Sequence, residues 1–245
     1  MLTTSEGTLL AGRVRYVQPV DGYRTGIEPV LLAASVPARP GECVLEAGTG
    51  AGAGLLCLAA RIAGLSGVGV ERDPGMAALA RRNFAANGLD GFSIATADIT
   101  AFAPDSSAAD AAFDHAFANP PWHDPAGTAS DSALRELAKR SAPGLLAAWV
   151  SALARRLRHR GSLTLILPAP ALGEACTALT ASGLGGITLL PLWPRAGREA
   201  KLLLLRGVRG GLGPSRVLPG LVLHGDDGYS AEAQAILRDG DALPW

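Results

Sequence analysis

The chain has 245 residues, of which 48% are hydrophobic and 18% charged, and its 22 Lys+Arg balance 22 Asp+Glu to a formal net charge of +0. The charged share lies below the ~25% of typical soluble domains, and so apolar a composition excludes a mainly disordered chain. Without a global basic field, any nucleic-acid partner has to be held by local clusters of charge.

The length suits one large domain or two small ones. Cys43, Cys57 and Cys176 are an odd number without CxxC spacing. That argues against a disulfide framework or a zinc site and fits a reducing cytosol, with all three read as small buried hydrophobes. The opening MLTTSEGTLLAGRVR has no basic stretch leading into an apolar one, so no secretion signal is predicted. The apolar runs Leu145–Leu153 and Leu163–Leu172 fall well short of the ~18 residues of a membrane span.

In chain order, the first forty residues begin polar and end in an apolar helical run from Pro29 to Val36, closed by Pro37. Beyond Pro40-Gly41, short apolar runs alternate with alanine-rich segments. Glu42–Ala47, Gly67–Glu71, Phe92–Ala95, Phe113–Ala118 and Ser162–Leu167 read as buried strands, which are apolar on both faces. Ala53–Ala63, Pro74–Ala86 and Leu145–Arg160 read as the helices between them, and Ile187–Leu190 and Lys201–Arg206 as closing strands. Asp73 is placed to cap the second of these helices with Pro74 at its first position, and Asn87-Gly88 to end it. Leu146, Trp149, Val150, Leu153 and Leu157 form one apolar stripe, read as core. Loops are expected at Ala103–Ala112, His123–Ser141 and Gly207–Arg216. Strand–helix alternation implies a mostly parallel α/β sheet with helices on both faces.

The glycine-rich stretch Glu46-Ala47-Gly48-Thr49-Gly50-Ala51-Gly52 joins a strand to a helix, the place where a nucleotide-like ligand approaches the backbone. Glu71 ends the next strand, 71 − 48 = 23 positions after Gly48. That is close to the ~20 expected for an acid that bonds a ribose hydroxyl pair. Asp98 ends the third strand, where it accepts from an adenine amino group or caps the following turn. Gly48-x-Gly50-x-x-Ala53 also satisfies the dinucleotide fingerprint, so the glycines alone leave NAD open. Glu46 argues for S-adenosylmethionine, whose ammonium a carboxylate welcomes, whereas a pyrophosphate would be repelled.

Asn119-Pro120-Pro121-Trp122 follows the fourth strand, where a substrate should lie. The Asn119 side-chain oxygen and the Pro120 carbonyl suit the two protons of an exocyclic amino group, and the prolines fix both acceptors. Trp122 offers a stacking face worth roughly 1–3 kcal/mol to a base. Such a pocket suits any planar sp² nitrogen.

These motifs, in this order, resemble those of class I S-adenosylmethionine-dependent methyltransferases that act on an amino or amide nitrogen. Gln18-Pro19-Val20-Asp21-Gly22-Tyr23-Arg24-Thr25-Gly26-Ile27-Glu28-Pro29-Val30-Leu31-Leu32-Ala33 narrows the resemblance to the bacterial family of tRNA(Val) adenine-N6 methyltransferases. The resemblance runs from about Leu10 to Arg206. Trp122 stands where Tyr or Phe is commoner, and Glu28 where Asp is expected. The resemblance implies a Rossmann-like, seven-stranded, mostly parallel sheet with an antiparallel last strand, and methyl transfer to adenine N6 in tRNA. It implies cofactor contacts from Thr25, Gly26, Glu46, Gly48, Gly50, Gly52, Glu71, Asp98 and Asn119, and a base site at Asn119, Pro120, Pro121 and Trp122.

Residues 1–40 are then expected to cover the site, 41–206 to form the catalytic domain and 207–245 to pack on it as an extension. Arg195, Arg198 and Lys201 follow the sixth strand on the same edge, roughly 14 Å from Asn119 if the last strand inserts between the fifth and sixth. With Arg24, they are the expected RNA contacts. Arg155, Arg156, Arg158, His159 and Arg160 are read as complementing a helix dipole on the opposite edge. No metal is expected, and the oligomer is expected to be a monomer or weak dimer. Rival readings are a protein glutamine N5-methyltransferase, an NAD dehydrogenase and a non-catalytic RNA-binding scaffold.

Overall fold

A computed structural model describes residues 3–21, 25–103, 113–121, 144–243 and 245. A hairpin of β1 (Thr4–Leu9) and β2 (Val14–Pro19) leads into helix α1 (Glu28–Ser35). Then come β3 (Cys43–Ala47), α2 (Ala53–Arg61), β4 (Ser66–Glu71), α3 (Pro74–Ala86), β5 (Phe92–Thr96) and β6 (Phe113–Ala118). The second half holds α4 (Leu145–Arg156), β7 (Leu157–Pro168), α5 (Leu172–Ala181), β8 (Leu184–Trp193) and β9 (Leu202–Arg209). Four two-residue strands follow, β10 (Arg216–Val217), β11 (Leu221–Val222), β12 (His224–Gly225) and β13 (Gly228–Tyr229), and then a short helix α6 (Ala231–Gln234). No described helix is long and apolar enough to cross a membrane.

The main sheet runs β10-β8-β9-β7-β6-β3-β4-β5, with β11 also on β8. Its core is the predicted seven strands, and β9 alone runs antiparallel, inserted between β7 and β8. The remaining two strands, β10 and β11, lengthen the β8 edge. Successive strand residues point to opposite faces. Val44, Ile166 and Leu204 therefore join a core with α1, α2 and α3, while Leu45, Leu165 and Leu205 join one with α4 and α5.

Local signals behave as the sequence suggests at α3. The Asp73 side chain accepts from the Met76 N–H at 2.8 Å, Pro74 opens the helix, and Gly88 at φ +67° follows its end.

Two expectations are corrected. The helix expected to reach Arg160 ends at Arg156, because Leu157 pairs with Phe113 and is fully buried as the first residue of β7. The loop expected from Gly207 begins later, because Gly207 and Val208 pair with Leu163 and Ser162 and extend β9. Of the other expected loops, His123–Ser141 and all but Ala103 of Ala103–Ala112 lie outside the described residues.

Candidate active site

The carboxyl ends of the parallel strands share one edge, and Ala47 of β3 stands opposite Ala118 of β6. Gly48 and Asn119 therefore leave the sheet side by side, one strand spacing apart, about 4.8 Å. The bend after β3 folds over the end of β4: the Gly48 and Thr49 N–H groups both donate to the Val70 carbonyl, at 2.9 and 3.3 Å. Gly48, Gly50 and Gly52 are all left-handed, at φ +69°, +57° and +94°. Only glycine adopts that conformation without strain. Gly52 is doubly constrained, since a Cβ there would meet the Phe84 ring at 2.7 Å.

Glu46 lies beneath the bend with 5% of its surface exposed. Its carboxylate accepts from the Leu55 N–H at 3.3 Å and so caps α2, whose N-cap Gly52 has no side chain to do so. Burial holds its pKa well above the usual carboxylate range, against the Leu55 hydrogen bond that lowers it, and the nearby Glu71 charge adds to the rise. A buried carboxyl that ionises reluctantly favours a cationic group nearby. The capping of α2 by Glu46 carries no signal in the sequence, which suggests only an ammonium partner for it.

Glu71 accepts from the Gly50 N–H at 2.9 Å through Oε2 and from the Asp73 N–H at 2.8 Å through Oε1. It thus pins the glycine bend to the end of β4. A carboxylate has about four acceptor positions, so two remain for a hydroxyl pair. Exposed Asp98 caps its own turn: Oδ1 accepts from the Thr100 hydroxyl at 2.7 Å and the Thr100 N–H at 2.8 Å. Those two bonds hold its carboxyl below the usual range, with a smaller contribution from the Arg72 charge.

The N-terminal segment is fastened to the same bend. Asn83, fully buried on α3, accepts from the Val17 N–H at 3.0 Å, and its amide donates to the Val17 and Ala51 carbonyls, each at 2.8 Å. Thr25 is held by the Tyr16 hydroxyl at 2.7 Å and by Gln18 Oε1, which accepts from its N–H at 3.1 Å. Gly26 beside it is exposed, with the Glu28 carboxylate folded against it. Asn83 escaped the sequence reading because a lone asparagine mid-helix carries no motif.

Asn119 is exposed, Pro120 is buried and Pro121 half-buried. Trp122 and Arg24 lie outside the described residues. A different tryptophan reaches the site: half-buried Trp149 on α4 packs its ring edge over Gly48, 3.0 Å from where a Cβ would stand. Leu146, Val150 and Leu153 from the same stripe are core, as expected. The i, i+3, i+4 pattern could not separate Trp149 from them.

On the β8–β9 connection, Arg195, Arg198 and Lys201 are exposed. The Lys201 carbonyl accepts from the Ala169 N–H at 2.9 Å, which sets this loop on the edge where β7 ends. Asn119, by contrast, stands three strands away, beyond β9 and β7. Arg195 is partly committed elsewhere: its guanidinium donates to the Gly225 carbonyl at 2.6 Å and anchors the β12–β13 hairpin, whose His224 ring also bonds the Pro194 carbonyl at 3.0 Å. Arg198 and Lys201 have no such tie among the described residues.

Three features fit S-adenosylmethionine together: a glycine bend that admits a ligand to its backbone, a buried carboxylate suited to an ammonium, and acids at the ends of β4 and β5. When bound, that group supplies a methyl activated by a sulfonium. Comparison with known proteins agrees. Residues 44–144 match the family described as a methyltransferase domain. Over that stretch the chain carries an S-adenosylmethionine-dependent methyltransferase domain. This sets aside the dehydrogenase reading that the glycines left open.

Similar solved structures share the fold. One, described as a predicted O-methyltransferase from Agrobacterium tumefaciens, is 23% identical, with a TM-score of 0.71 over 88% of this chain and 97% of that one. A precorrin-6y C5,15-methyltransferase from Geobacter metallireducens is 13% identical, with a TM-score of 0.54 over 78% and 92%. A geranyl diphosphate C-methyltransferase from Streptomyces coelicolor, solved with S-adenosyl-L-homocysteine, is 14% identical, with a TM-score of 0.53 over 74% and 75%. Their reactions fall on oxygen and carbon, so the fold leaves the acceptor atom open. A search of curated proteins found no match.

Proposed function

We propose that this methyltransferase acts on the N6 nitrogen of an adenine in tRNA. The observation that carries the reading is the exposed Asn119 on a proline-braced corner, one residue past the Ala47–Ala118 pair and so beside the glycine bend. The Asn119 side-chain oxygen accepts one N6 proton and the Pro120 carbonyl the other, which turns the nitrogen lone pair toward the methyl donor. Alignment and exclusion of water then supply most of the acceleration. The proton leaves after transfer, so the site needs no strong base.

A glutamine amide presents the same planar nitrogen. Exposed Arg198 and Lys201 on the transfer edge favour RNA, because they suit phosphates flanking a flipped base. The motif around Gln18–Ala33 supports the same choice by resemblance. Incubation with methyl-labelled cofactor, total tRNA and peptide release factors tests it. Label is expected in tRNA, and label confined to protein would overturn the RNA reading. Asn119→Ala should abolish turnover while the protein still binds S-adenosylhomocysteine; an unaltered rate would remove Asn119 from the chemistry.

A further inference from the structure

Of the basic residues assigned above to a helix dipole, Arg155 and Arg156 do stand in the last turn of α4, whereas Arg158, His159 and Arg160 lie beyond it in β7. Along the β6–β7 pairing, Phe113 faces Leu157 but His115 faces Ser162, so a step of two residues on β6 is matched by five on β7. The three surplus residues bulge out of the sheet and carry Arg158, His159 and Arg160. Arg160 sits at φ +68°, a left-handed backbone that an arginine adopts only when its surroundings hold it there. Gly161 closes the bulge, since a Cβ would meet the Asp114 and Arg158 carbonyls at 2.8 and 2.9 Å. Bulges of this kind re-aim side chains.

Here they aim into an open cleft of about 490 Å³ at the amino ends of β3, β6 and β7, which Arg39 and Arg206 also line. Its two acids are already engaged. Glu42 accepts from the Arg39 N–H at 2.8 Å, bonds the His115 ring at 3.0 Å and lies 3.6 Å from Arg158. Asp114 pairs with Arg158 and accepts from the Cys43 N–H at 2.8 Å. Arg206 donates to the Ser35 carbonyl and stacks 3.9 Å over the Trp245 ring. Burial and the neighbouring Arg216 charge push the Arg206 guanidinium down to about 10. Among the described residues, exposed Arg39, His159 and Arg160 have no anionic partner, in a chain whose formal charge is +0.

We propose that this cleft is a second binding site for the phosphate backbone of the RNA, on the sheet edge opposite the transfer site. The proposal rests on the tRNA reading above. The chemistry favours an extended polyanion over a small ion: the cleft is open, and its unpaired cations Arg39, His159 and Arg160 are solvent-exposed. From Asp114 to Asn119 is five residues of strand, about 17 Å. A folded RNA of tRNA size lays backbone along both edges at once, whereas an isolated stem–loop bound at Asn119 has less backbone to offer the second.

The test is the double variant Arg39→Gln/Arg160→Asn, because asparagine tolerates the left-handed backbone. Affinity for full-length tRNA and for the isolated stem–loop that carries the methylated adenine is measured across a salt series, beside the melting temperature. For full-length tRNA, Kd is expected to rise roughly tenfold and the slope of log K against log salt to fall by about 1–2. Stem–loop binding is expected to weaken less, and the melting temperature to stay put. Unchanged tRNA affinity overturns the cleft contact, and so does an equal loss on both RNAs. A variant that loses tRNA affinity, in a protein that forms no N6-methyladenosine, keeps the cleft and removes only the adenine reading. A wild-type protein that binds no tRNA overturns both.

Discussion

Removing the Asn83 side chain should loosen the N-terminal hairpin from the cofactor bend. Asn83→Ala deletes three hydrogen bonds at a fully buried position and strands the Val17 N–H together with the Val17 and Ala51 carbonyls. A stranded buried polar group costs about 1–3 kcal/mol, and carbonyls with a second lone pair fall at the low end. The sum is about 3 kcal/mol. A chain of this size loses about 2–4 °C per kcal/mol, which predicts a fall of about 6–12 °C in Tm. Because Tyr16 of the same hairpin holds Thr25, affinity for S-adenosylhomocysteine should fall as well. Asn83→Asp sharpens the test: it keeps the acceptor for Val17 but turns a carboxylate toward two carbonyls, so it should melt no higher than Asn83→Ala. Thermal melts with and without S-adenosylhomocysteine read both effects. A drop under about 2 °C with unchanged ligand affinity would refute the brace.

Three further outcomes follow from the site. Glu46 holds its proton more tightly in the folded protein than in the unfolded chain. The ligand-free protein should therefore lose stability as pH rises above the ordinary carboxylate range. Glu46→Gln should flatten that dependence yet weaken S-adenosylmethionine binding; melts across pH 4–8, about that window, would show a parallel slope if Glu46 were not the cause. Gly48→Ala forces a left-handed alanine, costing about 1–2 kcal/mol, and pushes on Trp149. Calorimetric titration should show S-adenosylhomocysteine binding weakened at least tenfold, and a wild-type isotherm would contradict the close approach. Burial and the Glu46 charge push the Cys57 thiol up to about 12. Cys57 should resist alkylation at neutral pH in the folded protein, while half-buried Cys43 and Cys176 react first; mass mapping of the labelled peptides decides it.

The central strands of the sheet were legible because they are apolar on both faces, which period and length reveal together. The α3 boundaries were legible because Asp73, Pro74 and Gly88 act on their own backbone neighbours. The end of α4 was not: Arg155 to Arg160 continues a helical composition, and only the pairing of Leu157 with Phe113, 44 residues earlier (157 − 113), turns it into a strand. The bulge is equally non-local. At the site, the glycine bend, Glu71 and Asn119 announce themselves by chemistry at fixed spacing. Asn83, Trp149 and the grip of Arg195 on Gly225 come from contacts between elements far apart in the chain. Nothing in their local sequence marks them.

The nucleosides of tRNA treated with the protein and S-adenosylmethionine, resolved by mass spectrometry, test the account most directly. N6-methyladenosine is expected, and it should disappear with Asn119→Ala. Methylation at another atom of the base, or at the ribose, would contradict it.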